Sequence, residues 1–278
     1  MLPVPATAVF TAPGVDPTDR LRTAFLLHGI LGSKQNWRGF ARRLAARLPG
    51  WRLVTVDHRN HGQTEALPGP HTVEACAADL ARLAAHLGCT PEVIVGHSFG
   101  GKVALAYTRD HGAALAQTWV LDALPGDDPD ALTGDNEVYR VISALRAVPM
   151  PLGRRERIVE ILESKGFAPG LARWMTTNLQ KGPDGFTWRF DLDGAREMIE
   201  DYFRLDLWPV VEQPRIQPEL HLVRAERSDR WSPAVVARLE APPPGAPTHL
   251  HLLPDAGHWV HADNPQGLLD LMEEWWAI

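Results

Sequence analysis

The chain has 278 residues, 45% of them hydrophobic and 22% charged, and a net charge of −6. That length holds one large globular domain with room for an insertion, and the acidic balance excludes the basic footprint of a nucleic-acid binder. No apolar run reaches membrane-spanning length, and residues 1–10 lack the basic start and apolar stretch of a signal peptide.

In chain order, Val4–Phe10 alternates weakly and reads as an edge strand, and Ala12–Pro17 is a turn. Thr23–Leu27 is a near-continuous apolar run, the pattern of a strand buried on both faces. Asn36–Leu48 has helical spacing through Trp37, Phe40, Leu44 and Leu48, and stops at Pro49-Gly50. Trp51–Val56 is a strand. Thr72 can cap a helix running to about Leu87. Glu92–Val95 and Thr118–Leu121 are further strands, separated by a helix that begins at Phe99. This alternation predicts a mostly parallel sheet with helices on both faces.

The rhythm breaks after Leu124. From 125 to 211 the pattern is helical or irregular, with candidate helices at Glu137–Ala147, Arg154–Ser164, Leu171–Leu179 and Gly194–Phe203, and a short extended piece at Phe186–Phe190. Arg154, Arg155 and Arg157 are interleaved with Glu156 and Glu160, as on a solvated helix face. The α/β rhythm then resumes with a strand at Glu219–Val223, a helix at Pro233–Leu239, a strand at His249–Leu253 and a closing helix at Gln266–Trp275. The expected organisation is a core of residues 1–124 and 212–278 with a helical cap, or lid, of residues 125–211. Such a lid would cover the strand C-termini, where open α/β sheets bind ligands.

The chemistry is concentrated in Gly96-His-Ser-Phe-Gly-Gly101. The motif Gly-x-Ser-x-Gly sits between a β-branched strand and a helical run, the context that gives it meaning. Ser98 must stand on a sharp turn, and the flanking glycines leave room for it. A serine hydroxyl needs a base, and the base needs an orienting acid. His258, in Ala256-Gly-His258 directly after the last strand, is the candidate base. His249 and His251 alternate on one strand face and read as packed rather than catalytic. Two residues at strand C-termini compete for the acid, Asp122 and Asp229. Asp122 follows an apolar strand, whereas Asp229 lies among Glu226, Arg227 and Arg230. Residue chemistry leaves the two open.

The developing oxyanion needs two donors. Phe99 supplies one N–H. The loop His28-Gly-Ile-Leu-Gly32 supplies the other, from Ile30 with Leu31 as the neighbour that could replace it. His28 and Leu31, Trp174 and Trp188 from the cap, and Trp259 beside His258 are the candidate substrate contacts. Most other large cap residues, among them Met175, Phe186, Phe190, Phe203 and Trp208, are expected to form the cap's own core. No metal site is expected: His58 and His61 in Asp57-His-Arg-Asn-His-Gly62 flank a tight loop and should make structural hydrogen bonds. Cys76 and Cys89 read as buried free thiols in a reducing, cytoplasmic setting.

These motifs, with His28-Gly29 and Asp57-x-Arg59-x-His61-Gly62, resemble the α/β-hydrolase superfamily over nearly the whole chain. A narrower likeness, in His28–Trp37, Gly96-His-Ser-x-Gly-Gly-Lys102, Trp188-Arg-Phe-x-Leu192 and Ala256–Pro265, is to the small esterases typified by bacterial YbfF and the mitochondrial abhydrolase-domain protein eleven. One departure is Thr64, where that group usually has serine. The resemblance implies the α/β-hydrolase fold and cofactor-free hydrolysis of carboxylic esters, or thioesters, of small to medium acyl chain. It implies Asp122 as the acid, because that group takes its acid from the strand after the nucleophile helix and has a serine at the place of Ser228. Asp229 remains the alternative. The expected partner is a small-molecule ester; no oligomeric state is specified. The alternatives are a carbon–carbon bond hydrolase, lyase or acyltransferase on the same triad, and a non-enzymatic receptor or scaffold on this fold.

Overall fold

The structure, a computed structural model, describes residues 2–64, 66–133, 136–213 and 218–276. In chain order the first half runs β1 (Thr7–Phe10), β2 (Arg22–Leu27), α1 (Arg38–Arg47), β3 (Trp51–Val56), α2 (Val73–His86), β4 (Val93–His97), α3 (Phe99–His111) and β5 (Gln117–Leu121). The inserted stretch contains α4 (Glu137–Arg146), α5 (Arg157–Ser164), α6 (Pro169–Met175), β6 (Leu179–Gly182), β7 (Gly185–Trp188), α7 (Leu192–Arg204) and α8 (Trp208–Val211). The chain closes with β8 (Glu219–Ala225), α9 (Pro233–Glu240), β9 (Thr248–Leu253), α10 (Val260–Asp263) and α11 (Pro265–Trp275).

The main sheet has the order β1-β3-β2-β4-β5-β8-β9. Its strands pair in parallel except β1, which runs antiparallel to β3 at one edge. The central strands are buried on both faces, which is why they read as unbroken apolar runs. Helices α1 and α11 cover one face, with Trp37, Phe40, Leu44, Leu268 and Met272 in that core layer. The other layer, with Leu80, Leu83, Val103 and Leu105 from α2 and α3, continues into the inserted stretch through Ile142, Leu145, Leu162 and Met198.

The sequence located most elements to within a few residues. The Thr72 side chain caps α2 by accepting the Ala75 N–H at 3.1 Å. The helix expected over Asn36–Leu48 begins instead as a 3-10 turn at Lys34–Trp37, held by Ser33 and Asn36. The inserted stretch held a larger difference. The helix expected over Leu171–Leu179 stops at Met175; a 3-10 turn follows, and Leu179 starts β6, which pairs with β7 as a hairpin. A four-residue strand leaves too short a pattern to compete with the helical spacing before it. Met175, Phe190, Phe203 and Trp208 are buried, in one cluster continuous with the α2–α3 layer rather than in a separate core of the inserted stretch, and Phe186 is only partly buried. Cys76 is buried and free; Cys89 is free but only half-buried, because it lies in the loop beyond α2.

Side chains join the inserted stretch to the elements of the main sheet at several points. The buried Lys102 ammonium, on α3, donates to the carbonyls of Gly126 (2.6 Å), Leu205 (2.8 Å) and Tyr202. Burial brings its pKa down to about 8. Asn60 exchanges two hydrogen bonds with the Asp191 backbone, each 2.8 Å.

Candidate active site

The loops at the C-terminal ends of β2, β4, β5, β8 and β9 meet beside the inserted stretch, around one cavity. Ser98 follows β4 directly, at φ 53° and ψ −119°, a left-handed backbone that an L-residue adopts only under constraint. Gly96 and Gly100 permit the turn: a Cβ on Gly96 would lie 2.0 Å from the Gly100 carbonyl oxygen, and one on Gly100 would lie 2.6 Å from that of Leu27. The turn projects Ser98 into a cavity of about 100 Å³ lined also by Gly29, Ile30, Leu31, His97, Glu137, Val138, Val141, Leu171, Trp174, Arg230, His258 and Trp259.

Asp122 ends β5, is fully buried and also has a positive φ of 47°. Its Oδ2 accepts from His258 Nδ1 at 2.8 Å and from the Ser228 hydroxyl at 2.8 Å. Its Oδ1 accepts from Trp231 Nε1 at 2.7 Å and the Ala225 N–H at 3.1 Å. Burial alone would raise the Asp122 pKa; the bonds from His258, Trp231 and Ala225 outweigh it, and the carboxyl stays below its ordinary value. An ionised carboxylate on Nδ1 fixes the tautomer of His258 that leaves Nε2 free to accept a proton. Burial pushes the His258 pKa down from 6.5, the bond to Asp122 opposes that, and the Arg230 charge adds to it. The alternative acid does not reach this position. Asp229 is exposed and, among the described residues, makes no hydrogen bond to His258; its neighbours Ser228 and Trp231 instead turn inward onto Asp122.

Among the described residues, the N–H groups of Ile30 and Phe99 have no partner, and both belong to segments bordering Ser98. Phe99 opens α3, where the first N–H groups of a helix lack intrahelical acceptors and the dipole favours negative charge. Leu31 is not an alternative donor: its N–H is given to His61 Nε2 at 3.0 Å. Its carbonyl accepts from Asn178 Nδ2 of the inserted stretch at 2.7 Å, so the loop is held on both sides.

His28 is corrected as a substrate contact. Its ring is buried behind the loop, where Nδ1 donates to the Gly29 carbonyl (2.7 Å) and Nε2 accepts the His58 N–H (3.1 Å). His58 Nε2 donates back to the His28 carbonyl at 3.0 Å, and His61 Nδ1 donates to that of Arg59 at 3.0 Å. Burial holds all three imidazoles below their ordinary pKa, and as neutral rings each has the donor and acceptor this lattice needs. Trp188 is corrected too: it stacks on Phe190 with centroids 5.7 Å apart and does not line the cavity, because the unforeseen hairpin turns it aside. Trp174 and Trp259 do line it, their rings meeting edge to face at 4.7 Å. Beyond them lies a groove of about 660 Å³ that shares Glu137, Leu171 and both tryptophans with the smaller cavity.

Sequence reasoning missed four contributors. His97 Nε2 donates to the His258 carbonyl at 2.7 Å and holds the base's loop. Trp231 and Asn178 brace the acid and the donor loop, and Arg230 lines the cavity. The charged surroundings of 226–230 gave the appearance of a solvated loop, and nothing local to Asn178 marks its reach across the fold. Among the described residues no group of histidine, cysteine and carboxylate side chains is arranged to hold a metal.

Comparison with known proteins agrees with this architecture. The Alpha/beta hydrolase family matches residues 24–271. The mouse (Mus musculus) protein named sn-1-specific diacylglycerol lipase ABHD11 is 30% identical over 268 residues, covering 95% of this chain and 83% of its own. Esterase YbfF of Escherichia coli (strain K12) is 24% identical over 244 residues, 88% of this chain and 89% of its own. The solved structure of a marine microorganism esterase superposes with a TM-score of 0.83 at 22% identity, covering 98% of this chain and 99% of that one. The chain belongs to the alpha/beta hydrolase family.

Proposed function

We propose that this protein is a serine esterase, with Ser98 as nucleophile, His258 as general base and acid, Asp122 as the orienting carboxylate, and the Ile30 and Phe99 N–H groups as oxyanion donors. The observation that carries this reading is the 2.8 Å bond from His258 Nδ1 to a fully buried, four-fold bonded Asp122, with His258 and the strained Ser98 lining one cavity.

Ser98 Oγ attacks the ester carbonyl as His258 Nε2 takes its proton. The tetrahedral oxyanion is held by the two N–H groups, while Asp122 stabilises the imidazolium. Collapse breaks the ester C–O bond, and His258 gives its proton to the leaving alcohol. Water, deprotonated by His258, then attacks the acyl-enzyme and releases the acid and free Ser98.

Residues 125–211 act as a lid over this centre, with Asn178 tying the lid to the oxyanion loop. The cavity of about 100 Å³ suits a short acyl chain. A second reading, hydrolysis of longer-chain glycerides as the mouse relative's name states of that protein, is favoured by the adjoining groove of about 660 Å³. Trp174 and Trp259 divide the two spaces. A panel of 4-nitrophenyl esters from acetate to palmitate tests both readings. A kcat/KM maximum at short to medium chains supports the first, a maximum at long chains the second. Absence of hydrolysis together with no labelling by a fluorophosphonate probe overturns the esterase assignment.

A further inference from the structure

The cavity around Ser98 is walled mainly by apolar groups, Ile30, Leu31, Val138, Val141, Leu171, Trp174 and Trp259, yet it contains a guanidinium. Arg230 is half-buried, its Nε is shielded from solvent with no hydrogen-bond partner, and among the described residues it makes no ion pair. Other lysines and arginines among the described residues do find a counter-charge, including those of the deeply buried Lys34–Asp57 and Arg59–Asp79 pairs. A shielded Nε–H left without an acceptor at the cavity wall carries a cost that a ligand accepting from it would remove.

The position of Arg230 is also fixed. The residue before its neighbour, Ser228, and the residue after it, Trp231, both donate to Asp122, at 2.8 and 2.7 Å. The carboxylate that orients His258 therefore clamps the loop carrying Arg230. Its charge is felt at the centre, since it depresses the pKa of both His258 and His97. The guanidinium fork matches a carboxylate in a way that no other group lining the cavity does. Glu137 lines the same cavity, but it is exposed and can turn to solvent.

We propose that Arg230 is a specificity-determining residue that receives a carboxylate carried by the substrate, so that the preferred esters are anionic, each bearing a free carboxylate near the scissile bond. The small volume around Ser98 favours a compact carboxylate over a bulkier phosphodiester headgroup. The proposal rests on the serine esterase reading and deepens it.

The test compares mono-4-nitrophenyl adipate with 4-nitrophenyl hexanoate, six-carbon acyl groups that differ in the terminal carboxylate. The readout is the ratio of their kcat/KM values in the wild type, Arg230→Gln and Arg230→Lys. Any change in His258 basicity affects both esters alike and cancels in the ratio. The adipate-to-hexanoate ratio should fall roughly 10- to 100-fold in Arg230→Gln and by less in Arg230→Lys, which keeps the charge but loses the fork. A ratio unchanged in Arg230→Gln overturns the proposal. Should that variant not fold, the wild-type ratio decides: it should drop between low ionic strength and about 0.5 M salt, and a constant ratio overturns the proposal. Fluorophosphonate labelling of the wild type separates the two levels. Labelling with an unresponsive ratio removes only the role of Arg230, whereas no labelling and no hydrolysis of either ester removes the esterase reading and this proposal with it.

Discussion

Among the described residues, perturbed histidines gather both beside Ser98 and on β8 and β9, and of these two regions the first has the makings of a catalytic centre. At the C-terminal edge of the sheet, His258 meets a buried carboxylate and shares a cavity of about 100 Å³ with Ser98. On β8 and β9, His221 stacks on Trp119 at 4.2 Å and on His249 at 5.0 Å, and its Nδ1 meets His251 Nε2 at 3.0 Å. Burial drives His221 to about 3 and His251 to about 4. The cavity beside this stack is larger, about 560 Å³, but the Thr248 hydroxyl that borders it is committed to the Val211 carbonyl at 2.7 Å. Perturbed histidines and open volume do not define a site. A nucleophile, a base and an acid converging in complementary protonation states do.

The largest expected effect tests that contrast directly. Ser98→Ala should lower kcat on an activated ester by about 10⁴-fold or more, because triad members act as a unit. Substantial turnover by a folded variant would remove the distinction between the two regions. Next, Asp122→Asn should cost roughly 10³- to 10⁴-fold, since the amide supports the wrong imidazole tautomer, whereas Asp229→Asn should cost under about tenfold. Steady-state kinetics on both variants, with circular dichroism as a folding control, check the pair; a crippled Asp229→Asn beside a normal Asp122→Asn would reassign the acid.

The acid limb of the pH profile should follow. His258 acts as base only when neutral, and its pKa lies below 6.5, so kcat/KM should be on its plateau at neutral pH and fall about tenfold per pH unit below that pKa. A profile flat through mildly acidic pH would argue against a histidine base. Asn178→Ala, which releases the Leu31 carbonyl, should reduce kcat by about tenfold with a smaller change in KM, through a loosened oxyanion loop. Equal losses in both parameters would assign Asn178 to binding instead.

The smallest activity effect belongs to the stack. His221→Leu should change neutral-pH kcat/KM less than about threefold. Its signature is in stability. The unfolded chain protonates His221 near 6.5 and the folded one only near 3, so the wild type loses stability as pH falls across that window. Thermal melts from pH 7 to pH 4 should show a shallower decline in the variant; an identical decline would show that the stack does not couple to acid.

Much of this was legible in one dimension. The central strands announce themselves as runs buried on both faces, and Gly96–Gly101 fixes the nucleophile turn because a side chain at either flanking glycine would collide with backbone. His258 follows from its place after the last strand. The choice between Asp122 and Asp229 did not follow, because charge density along the chain cannot show that Ser228 and Trp231 turn inward. Hairpin β6–β7 was hidden because its pairing is made between strands too short to carry a period.

The sequence by itself therefore determined the α/β alternation, the strained serine turn and the placing of His258 directly after the last strand, all of which depend on local sterics and periodicity. Tertiary structure alone decided which carboxylate His258 meets, that His28 supports the oxyanion loop from behind, that Trp188 turns away, and that Arg230 borders the cavity without a counter-charge. These contacts join residues distant along the chain, Asp122 to His258 and Leu31 to Asn178 among them, and only the packing of the inserted stretch and the strand ends on one another brings them within hydrogen-bonding reach.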